Sequence, residues 1–328
     1  MKPIRWGVLG VGVHYRQRVS VPLRDSAIVE VAAIASRDIE RAQKAARESA
    51  IPTAYGSYQA LIDDDSIEAV YIPLPNHLHG EWIRKAADAG KHIICEKPLA
   101  LSADEVQDLI EYTGSRNVRM MEAFMYRFHP QWQRARDIVR IGELGTITSV
   151  QSTFFYRNTD PDNIRNRPET GGGALFDIGC YTVSSARFLL GAEPSRVISL
   201  VQRDPAFGTD RLSSAILDFG SVQAQFVVGT QTYGSQTVSV YGTGGMLLVE
   251  LPFNAFPDVP LQIQVRNGVG ARTITTEPVD QYALQFEAFS RAIREDAPIP
   301  TPPTDALNNQ KVLDALFRSE KSGVWESV

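Results

Sequence analysis

The sequence is poor in cysteine and has no long apolar segment, and each absence narrows the class of protein. Cys95 and Cys180 are the only cysteines among 328 residues, too few for a disulfide framework, so we expect a cytoplasmic protein. No apolar run reaches the roughly 18 residues that a membrane-spanning helix needs, so we expect no membrane partner. The first nine residues show neither the apolar core nor the cleavage site of a signal peptide, and none is expected.

An excess of positive charge is also missing. Lysine and arginine number 33 against 38 acidic residues, which gives a formal net charge of −5 at pH 7. A nucleic-acid-binding protein normally carries a basic surface, so we expect no nucleic-acid partner. Five histidines without a closed ligand spacing lead us to expect no metal site. The hydrophobic fraction of 43% is typical of a globular chain, and the length indicates about two domains.

The first third of the chain alternates short apolar runs with amphipathic stretches. Strands are predicted over residues 5–9, 29–35, 69–72, 92–95 and 118–121. Helices are predicted between them, for example over residues 39–49 and 80–89. Apolar strands separated by helices indicate βαβ units and a parallel sheet that is buried on both faces. Ser102, followed three residues later by Glu105, forms a capping box and predicts the start of a further helix.

After about residue 122 the apolar residues alternate with polar ones, which predicts strands with one apolar face, typical of an antiparallel sheet. The clearest alternation occurs over residues 150–156, 222–227 and 261–265. Helices are predicted over residues 174–190 and 282–294 and at the C-terminus, where Thr304 is expected to cap a last helix that ends at Gly323.

These patterns predict the α/β fold class with two domains. The first, at residues 1–122, is a Rossmann domain with a doubly wound parallel sheet. The second, at residues 123–328, is an α+β domain built on a large open, mostly antiparallel sheet. Its last helix is expected to be able to pack back on the first domain.

A glycine-rich turn after the first predicted strand carries the first functional signal. In a dinucleotide-binding turn, Gly10 would permit the tight bend and Gly12 would let the backbone approach a pyrophosphate. The third small position of such a turn is occupied by Tyr15, and a bulky group there could disturb cofactor docking. A glycine turn that binds no nucleotide is the alternative interpretation.

The end of the second predicted strand indicates which dinucleotide is bound. Ser36 and Arg37 supply a hydroxyl and a planar cation, and arginine binds phosphate oxygens bidentately, which favours NADP over NAD. Asp38 supports the NAD alternative, because a carboxylate at this place could bind the ribose hydroxyl. Arg37 could also be a solvated loop charge.

Two further polar segments directly follow predicted strands, at residues 73–79 and at Glu96-Lys97-Pro98. The carboxyl ends of parallel strands are where open α/β sheets bind ligands. Pro98 disfavours the helical conformation at Lys97 and so helps to aim that side chain into the crevice. A lysine in a partly desolvated pocket has a lowered pKa and can exchange protons near neutral pH.

Together these segments resemble the glucose-fructose oxidoreductase, inositol dehydrogenase and rhizopine-catabolism family (Gfo/Idh/MocA) over essentially the whole chain. The resemblance extends to residues 122–130 and 171–181. Tyr181 stands where many inositol dehydrogenases have a histidine, as in the branch of glucose-fructose oxidoreductase, dihydrodiol dehydrogenase and NADP-dependent D-xylose dehydrogenase. The resemblance implies a Rossmann domain followed by an open-sheet domain for substrate binding and oligomerisation. It also implies a homo-dimer or a tetramer built from dimers.

The resemblance also implies roles for individual residues. Lys97, Tyr181 and Asp177 match the family's catalytic positions, and Tyr181 and Asp177, four residues apart, would share one helix face. Arg127 and Arg165 are weaker candidates for binding substrate oxygens, with structural ion pairs as the alternative. The candidates for cofactor binding are Gly10, Gly12, Val13, Ser36, Arg37, Pro73, Pro75, Asn76, His77, Glu96 and Lys97.

The expected function is hydride transfer between NADP or NAD and a secondary alcohol or carbonyl of a sugar, polyol or related small molecule. Tyr181 would give or take the hydroxyl proton, and Lys97 would favour the tyrosinate, lower its pKa and polarise the substrate oxygen. Two alternatives remain open, an NAD-dependent glycosidase-type enzyme on the same fold and a non-catalytic nucleotide-sensing regulator.

Overall fold

The structure is a computed structural model that describes residues 2–328. It contains two compact units. The first consists of the residues up to Met125 together with Tyr282–Leu307, and the second consists of Tyr126–Gln281 together with Asn308–Val328. The division at Met125 lies three residues beyond the expected boundary at residue 122. The assignment of Tyr282–Leu307 to the first unit differs from the expectation, which placed this segment in the second domain.

The first unit is built on a parallel sheet with the strand order β3-β2-β1-β4-β5-β6. Its strands are β1 (Ile4–Leu9), β2 (Val29–Ala35), β3 (Thr53–Tyr55), β4 (Ala69–Ile72), β5 (His92–Cys95) and β6 (Met120–Glu122). The predicted doubly wound sheet is confirmed, with its switch point between β1 and β4. The last strand begins two residues later than predicted, because the Val118 N–H donates to Thr113 O (3.1 Å) and closes the preceding helix.

Helices connect these strands, and polar side chains mark where they begin. They are α1 (Ile39–Ser49), α2 (Tyr58–Ile62), α3 (His79–Asp88) and α4 (Ala103–Gly114). The predicted cap at Ser102 is present, since its Oγ accepts a hydrogen bond from the Glu105 N–H (3.2 Å). The Glu105 carboxylate accepts from the Leu101 N–H (3.3 Å), one residue before the position that a capping box specifies.

The second unit is built on a sheet with the order β14-β13-β12-β11-β7-β10-β9-β8-β15. Its strands are β7 (Ile147–Arg157), β8 (Arg196–Arg203), β9 (Asp210–Asp218), β10 (Gln223–Gly229), β11 (Gln231–Gly242), β12 (Gly245–Val249), β13 (Leu261–Asn267), β14 (Gly270–Thr276) and β15 (Glu326–Ser327). Apart from the parallel pair β7 and β10, neighbouring strands are antiparallel, which confirms the predicted open, mostly antiparallel sheet.

Helices cover one face of this second sheet. Helix α5 (Pro130–Arg140) packs on β13 and helix α6 (Cys180–Leu190) packs on β7. The alternation along β7 explains the layer, because Val150 and Phe154 are buried whereas Gln151 between them is exposed. A sheet with one covered face requires this period of two.

Two helices complete the chain, α7 (Gln281–Arg294) and α8 (Pro303–Ser322). In the first unit, Phe286 lies 4.8 Å from Trp6 between ring centroids, and the Trp6 indole N–H donates to Ser290 Oγ (3.1 Å). This aromatic packing explains why the segment after Gln281 belongs to the first unit. The prediction that Thr304 caps the last helix is wrong. The helix begins at Pro303, a residue that is favoured at the first helical position.

Among residues 2–328, no helix combines the length and the apolarity that a bilayer crossing requires. The same residues contain no group of three or more His, Cys, Asp or Glu side chains that could hold a metal ion.

Candidate active site

The glycine-rich turn follows β1 and is open on one side. The Gly10 N–H donates to Ala35 O (3.0 Å), and Gly10 has a φ of 129°, which favours glycine. A Cβ on Gly10 would also lie 3.4 Å from the Leu74 side chain. A Cβ on Gly12 would meet no atom within 4 Å, and the next side chain, Val13, is exposed. The backbone at Gly12 can therefore be approached closely by a ligand.

Tyr15 is directed into the core of the first unit and does not occupy the open side of this turn. Its side chain is 1% exposed, and its ring centroid lies 6.1 Å from that of Tyr71. The residues Tyr15–Val19 form a π-helical turn, in which the Ser20 N–H donates to Tyr15 O (2.9 Å). A π turn is wider than an α-helical turn, and a large side chain is found here where a small one was expected.

Asp38, the residue that supported NAD, caps a helix. Its Oδ1 accepts hydrogen bonds from the Glu40 N–H (2.9 Å) and the Arg41 N–H (3.2 Å) at the start of α1. An aspartate at this position satisfies backbone donors that have no partner inside the helix. The cap gives Asp38 a structural role, which weakens the interpretation that it binds a ribose hydroxyl.

Two arginines lie beside the Tyr58 hydroxyl near the end of β2. Burial raises the pKa of Tyr58, and the charges of Arg37 and Arg41, with a hydrogen bond from Arg37, partly offset this increase. Both arginines are exposed, whereas Ser36 is buried. Two exposed guanidinium groups at the end of β2 could bind a phosphate together. The sequence prediction did not include Arg41, although its position four residues after Arg37 was a usable signal.

His79 holds the two predicted loops after β4 and β5 together. Its side chain is fully buried at the start of α3. Its Nε2 lies 2.9 Å from Leu74 O in one loop, and its Nδ1 lies 2.9 Å from Pro98 O in the other. His79 was not among the predicted site residues, because nothing in its sequence position indicates a contact with Pro98. Its placement keeps the peptide next to Lys97 beside the loop after β4.

Glu96 places a fixed negative charge next to Lys97. Tyr71 donates a short hydrogen bond to Glu96 Oε1, and His14 Nε2 lies 3.6 Å from the same oxygen. Burial tends to raise the pKa of Glu96, but His14, Lys97 and Tyr71 outweigh burial and hold this pKa at about 2. The carboxylate is therefore ionised throughout the neutral range. The sequence prediction missed His14 and Tyr71.

The remaining candidates of the first unit lie on the loop between β4 and α3. Pro73, Pro75 and Asn76 are partly buried, and His77 is exposed. Residues Asn76–Leu78 form a single 3₁₀ turn. The first unit thus brings the predicted cofactor-binding residues to one edge of its sheet, at the carboxyl ends of β1, β2, β4 and β5.

Asp177 is the centre of a polar network in the second unit. Its Oδ2 accepts hydrogen bonds from the Tyr156 hydroxyl (2.7 Å) and from Arg165 Nε (2.9 Å). Burial and the charge of Asp177 raise the pKa of Tyr156, and the same charge raises the pKa of Arg165. At neutral pH, Tyr156 is therefore a neutral donor and Arg165 a cation. Tyr156 was not predicted, although it ends the alternating pattern of β7.

Tyr181 packs against three aromatic side chains in the same unit. It is buried, and its ring centroid is 5.2 Å from Phe253, 5.8 Å from Phe154 and 6.0 Å from Tyr126. Arg165 is close enough that a charge on Tyr181 would raise the pKa of Arg165. Tyr181 therefore lies within electrostatic reach of the network around Asp177.

The predicted helix over residues 174–190 is confirmed as helical throughout, but a π turn at its start corrects the argument from regular helical spacing. Leu175–Gly179 form a π-helical turn, and the regular helix α6 begins at Cys180. Asp177 and Tyr181 lie on either side of this junction, so they do not share one face of a regular α-helix. π turns inside helices are frequent at functional sites.

Arg127 is buried inside the second unit. Its Nη2 donates to Ser184 Oγ (2.7 Å), and its guanidinium carbon lies 5.4 Å from the Phe188 ring centroid. Both partners belong to α6. These contacts give Arg127 structural partners within the second unit.

Comparisons with known proteins add to this geometry. Residues 4–124 match the model of the oxidoreductase family with an NAD-binding Rossmann fold, and residues 132–248 match the model of the GFO/IDH/MocA C-terminal domain. The chain is 44% identical to the uncharacterized oxidoreductase ORF334 of Rhizobium meliloti over 100% of both chains. It is 40% identical to D-xylose 1-dehydrogenase (NADP(+)) 2 of Haloferax volcanii, over 97% of this chain and 96% of the relative.

Among solved structures, the fold is similar to that of KijD10, a 3-ketoreductase from Actinomadura kijaniata in complex with NADP and TDP-benzene. The TM-score is 0.91 at 30% sequence identity, over 97% of this chain and 98% of the other.

Proposed function

Because the chain belongs to the Gfo/Idh/MocA oxidoreductase family, we propose that it transfers a hydride between NADP and a secondary alcohol or carbonyl of a sugar, polyol or related small molecule. The observation that carries the proposal is the network of Asp177, Tyr156 and Arg165 beside Tyr181. It supplies a phenol for proton transfer and polar groups for binding hydroxyls. The similar D-xylose 1-dehydrogenase and 3-ketoreductase support the substrate class.

The residues of the first unit fit NADP. The open backbone at Gly12 and the left-handed Gly10 suit a close approach of the pyrophosphate, with Val13 beside them. Ser36, Arg37 and Arg41 would hold the 2′-phosphate. Asp38, used as a helix cap, argues against NAD. The residues proposed for the nicotinamide end are Pro73, Pro75, Asn76, His77, Glu96 and Lys97.

The proposed chemistry assigns one task to each side chain. When bound, the cofactor would supply the hydride as NADPH or accept it as NADP⁺. Tyr181 gives or takes the proton of the reacting hydroxyl, and the Lys97 ammonium stabilises the charge that develops on the reacting oxygen. Asp177, held by Tyr156 and Arg165, orients the polar side of the substrate. The glycosidase-type and regulatory alternatives receive no support from these relatives, whose names describe dehydrogenases and reductases.

The outer face of the second sheet supports a homo-dimer, or a tetramer built from dimers. The face opposite α5 and α6 carries a groove of about 780 Å³, lined by residues that include Thr153 and Ile216. Leu200 in this groove is 70% exposed. Exposed apolar surface of this kind is typical of protein–protein contacts, and a second copy of the chain could bury it. Cys95 and Cys180 are both buried and form no disulfide, which agrees with the proposed cytoplasmic location.

The test combines cofactor titration with a substrate panel. NADPH and NADH are titrated by fluorescence, and formation of NADPH is followed at several pH values with D-xylose, related aldoses and polyols. We expect tight binding of NADPH, weaker binding of NADH, and turnover of at least one sugar or polyol. Binding of neither cofactor, or binding without turnover of any member of a broad panel, would contradict the proposal.

A further inference from the structure

The start of the helical segment that carries Asp177 and Tyr181 is bound by a residue from a distant strand. Asp210, the first residue of β9, is 1% exposed. Its Oδ2 accepts a hydrogen bond from the Leu175 N–H (2.6 Å) and another from the Ser213 hydroxyl (3.2 Å). Leu175 is the first residue of the π turn that contains Asp177.

This contact replaces a local helix cap. The first N–H groups of a helix have no partner inside it and are usually satisfied by the side chain of a preceding residue. Here the preceding residues are Gly171, Gly172 and Gly173, which have no side chains, and the π turn shows no side-chain cap of its own. Asp210 supplies the missing acceptor from the sheet, 35 residues further along the chain.

Gly173 makes the approach of Asp210 possible. Its φ is 117°, and a Cβ at this position would lie 1.8 Å from Asp210 Oδ1. The glycine segment also contacts the Arg165 backbone: the Gly173 N–H donates to Arg165 O (2.9 Å), and a Cβ on Gly172 would lie 2.5 Å from the same oxygen. The glycine segment is therefore packed between Asp210 and the backbone of Arg165, the partner of Asp177.

We propose that Asp210 is a positioning residue for the active site, because its carboxylate fixes the Leu175–Gly179 turn to the sheet and so sets the places of Asp177 and Tyr181. Tyr156, the other partner of Asp177, lies on β7 of the same sheet. A turn fixed to the sheet keeps the distance between Asp177 and Tyr156 constant. The catalytic consequence rests on the proposed function, whereas the effect on the turn does not.

Several charged or titratable groups face Asp210. Arg203 on β8 and Lys321 on α8 line the same cavity of about 190 Å³ as Asp210, and Arg203 is held by both carboxylate oxygens of Glu320 (2.7 and 2.8 Å). Tyr156 interacts with Asp210 electrostatically from β7. Burial raises the pKa of Asp210 to about 6, although Leu175, Ser213 and Arg203 act to lower it.

This environment predicts that the positioning depends on pH. Above about pH 6 the carboxylate is ionised and accepts strongly from the Leu175 N–H, because a charged acceptor makes the stronger hydrogen bond. Below this pH the protonated carboxyl is a weaker acceptor, and the hold on the turn is reduced.

The experiment compares Asp210→Ala and Asp210→Asn with Asp204→Ala. Asp204 lies in the turn between β8 and β9, just before Asp210, and is a control for the integrity of that turn. It is also buried, and its carboxylate contacts the N–H groups of Ala206 (2.8 Å) and Phe207 (2.9 Å) and the Gln231 amide (2.7 Å) and not the Leu175–Gly179 turn. Amide hydrogen exchange of the peptide over residues 174–190 needs no substrate. We expect faster exchange there in Asp210→Ala and unchanged exchange in Asp204→Ala.

The kinetic arm uses the substrate found for the wild-type protein. We expect kcat of Asp210→Ala to fall by roughly tenfold to a hundredfold, a size typical of a misplaced catalytic group. KM should change by less than about threefold, since the loss concerns the reacting groups. Asp210→Asn keeps an acceptor, so kcat should partly recover, and the acidic limb near pH 6 should disappear from its pH profile. Asp204→Ala should keep kcat within about twofold.

Unchanged exchange over residues 174–190 in Asp210→Ala would overturn the proposal, whatever the enzyme's substrate. Equal exchange and kinetic effects in Asp204→Ala would also overturn it, because they would indicate a general loss of stability. A wild-type protein without turnover would instead contradict the proposed function, and the exchange measurement would still decide the role of Asp210.

Discussion

The proposed preference for NADP depends on individual side chains. Arg37 and Arg41 are exposed beside Tyr58, and Asp38 is committed to the start of α1. Replacing either arginine with alanine should weaken NADPH binding by about tenfold or more, because a hydrogen bond to a charged group contributes about 1.5–3 kcal/mol. NADH binding should not change, since NADH has no 2′-phosphate. Fluorescence titration of both cofactors measures this difference.

Arg47→Ala is the control for these variants. Arg47 is also exposed and lies in the last turn of α1, far along the helix from the end of β2. Its replacement should leave both affinities unchanged. An equal loss of NADPH and NADH affinity in Arg37→Ala would show that the arginine does not recognise the 2′-phosphate.

Tyr156 should contribute to catalysis by holding Asp177. In Tyr156→Phe the hydroxyl that donates to Asp177 is removed, while Arg165 still binds the carboxylate. We expect kcat to fall by about three- to tenfold, because a single hydrogen bond contributes about 1 kcal/mol. Tyr233→Phe, at a tyrosine of the same unit that is 88% exposed, is the control. Steady-state kinetics showing equal values for both variants would exclude a role for Tyr156.

The candidate site residues predicted from the sequence stand in recognisable motifs, such as Gly10, Lys97 and Asp177, and their roles stay predictions. The sequence prediction missed Tyr156, Arg41 and Asp210. Tyr156 and Asp210 act through contacts between residues 21 and 35 positions apart, and such contacts depend on the strand order of the sheet. Local patterns carry no information about these pairings.

At the scale of elements, the π turn before α6 depends on its glycine segment. Gly173→Ala should destabilise the protein by more than Gly191→Ala, although both glycines have positive φ. A Cβ on Gly191 meets nothing within 4 Å, so its replacement should cost only the backbone strain of about 1–2 kcal/mol. A Cβ on Gly173 would also collide with Asp210. Urea unfolding measures both free energies, and equal values would contradict the structural account.

The buried carboxyl at the start of the same turn should make stability depend on pH. The pKa of Asp210 is raised from 3.8 to about 6 in the folded state, so the folded protein binds more protons than the unfolded chain between these values. Because burial penalises the ionised form, the protonated carboxyl adds to the free energy of unfolding. This addition is fully present below about pH 3.8 and is lost as the pH rises through about 6. The loss amounts to about 3 kcal/mol.

Asp210→Asn removes this titration. The free energy of unfolding of the wild type, relative to that of Asp210→Asn, should therefore decrease between pH 4 and pH 6.5. Urea titrations at several pH values give this difference. A constant difference over this range would mean that Asp210 does not titrate there.

The elements themselves were largely predictable, since β2, β4, β5 and α1 have the bounds that the apolar patterns indicate. The exceptions have physical causes. The helix predicted from residue 174 contains a π turn over Leu175–Gly179, and its first N–H is bound by Asp210 from a distant strand, a contact that no local pattern indicates. The start of α8 was misplaced by the choice of Thr304 over Pro303.

At the scale of the whole molecule, the sequence predicted the family, the two sheets and their order along the chain, all of which are confirmed. It did not place Tyr282–Leu307 in the first unit. That assignment depends on the packing of Phe286 against Trp6, and no periodicity links two residues so far apart in the chain.

The proposed dimer can be tested on the outer face of the second sheet. Leu200→Asp places a charge in the groove there and should shift the sedimentation coefficient to that of a monomer. Ile141→Asp, at a side chain that is equally exposed but lies at the end of α5, should leave the assembly intact. A wild-type protein that is monomeric at micromolar concentration would refute the dimer.

The most direct test of the central claim is the rate of NADPH formation by Tyr181→Phe, measured beside the wild type with the best sugar or polyol of the panel. Removal of the phenolic hydroxyl should lower kcat by roughly a hundredfold or more, because general acid–base catalysis typically contributes factors of about 10² to 10⁴. NADPH affinity should be retained, because Tyr181 is packed among the aromatic rings of the second unit. Full turnover by Tyr181→Phe would contradict its role as the proton-transfer group, and with it the mechanism proposed for this oxidoreductase.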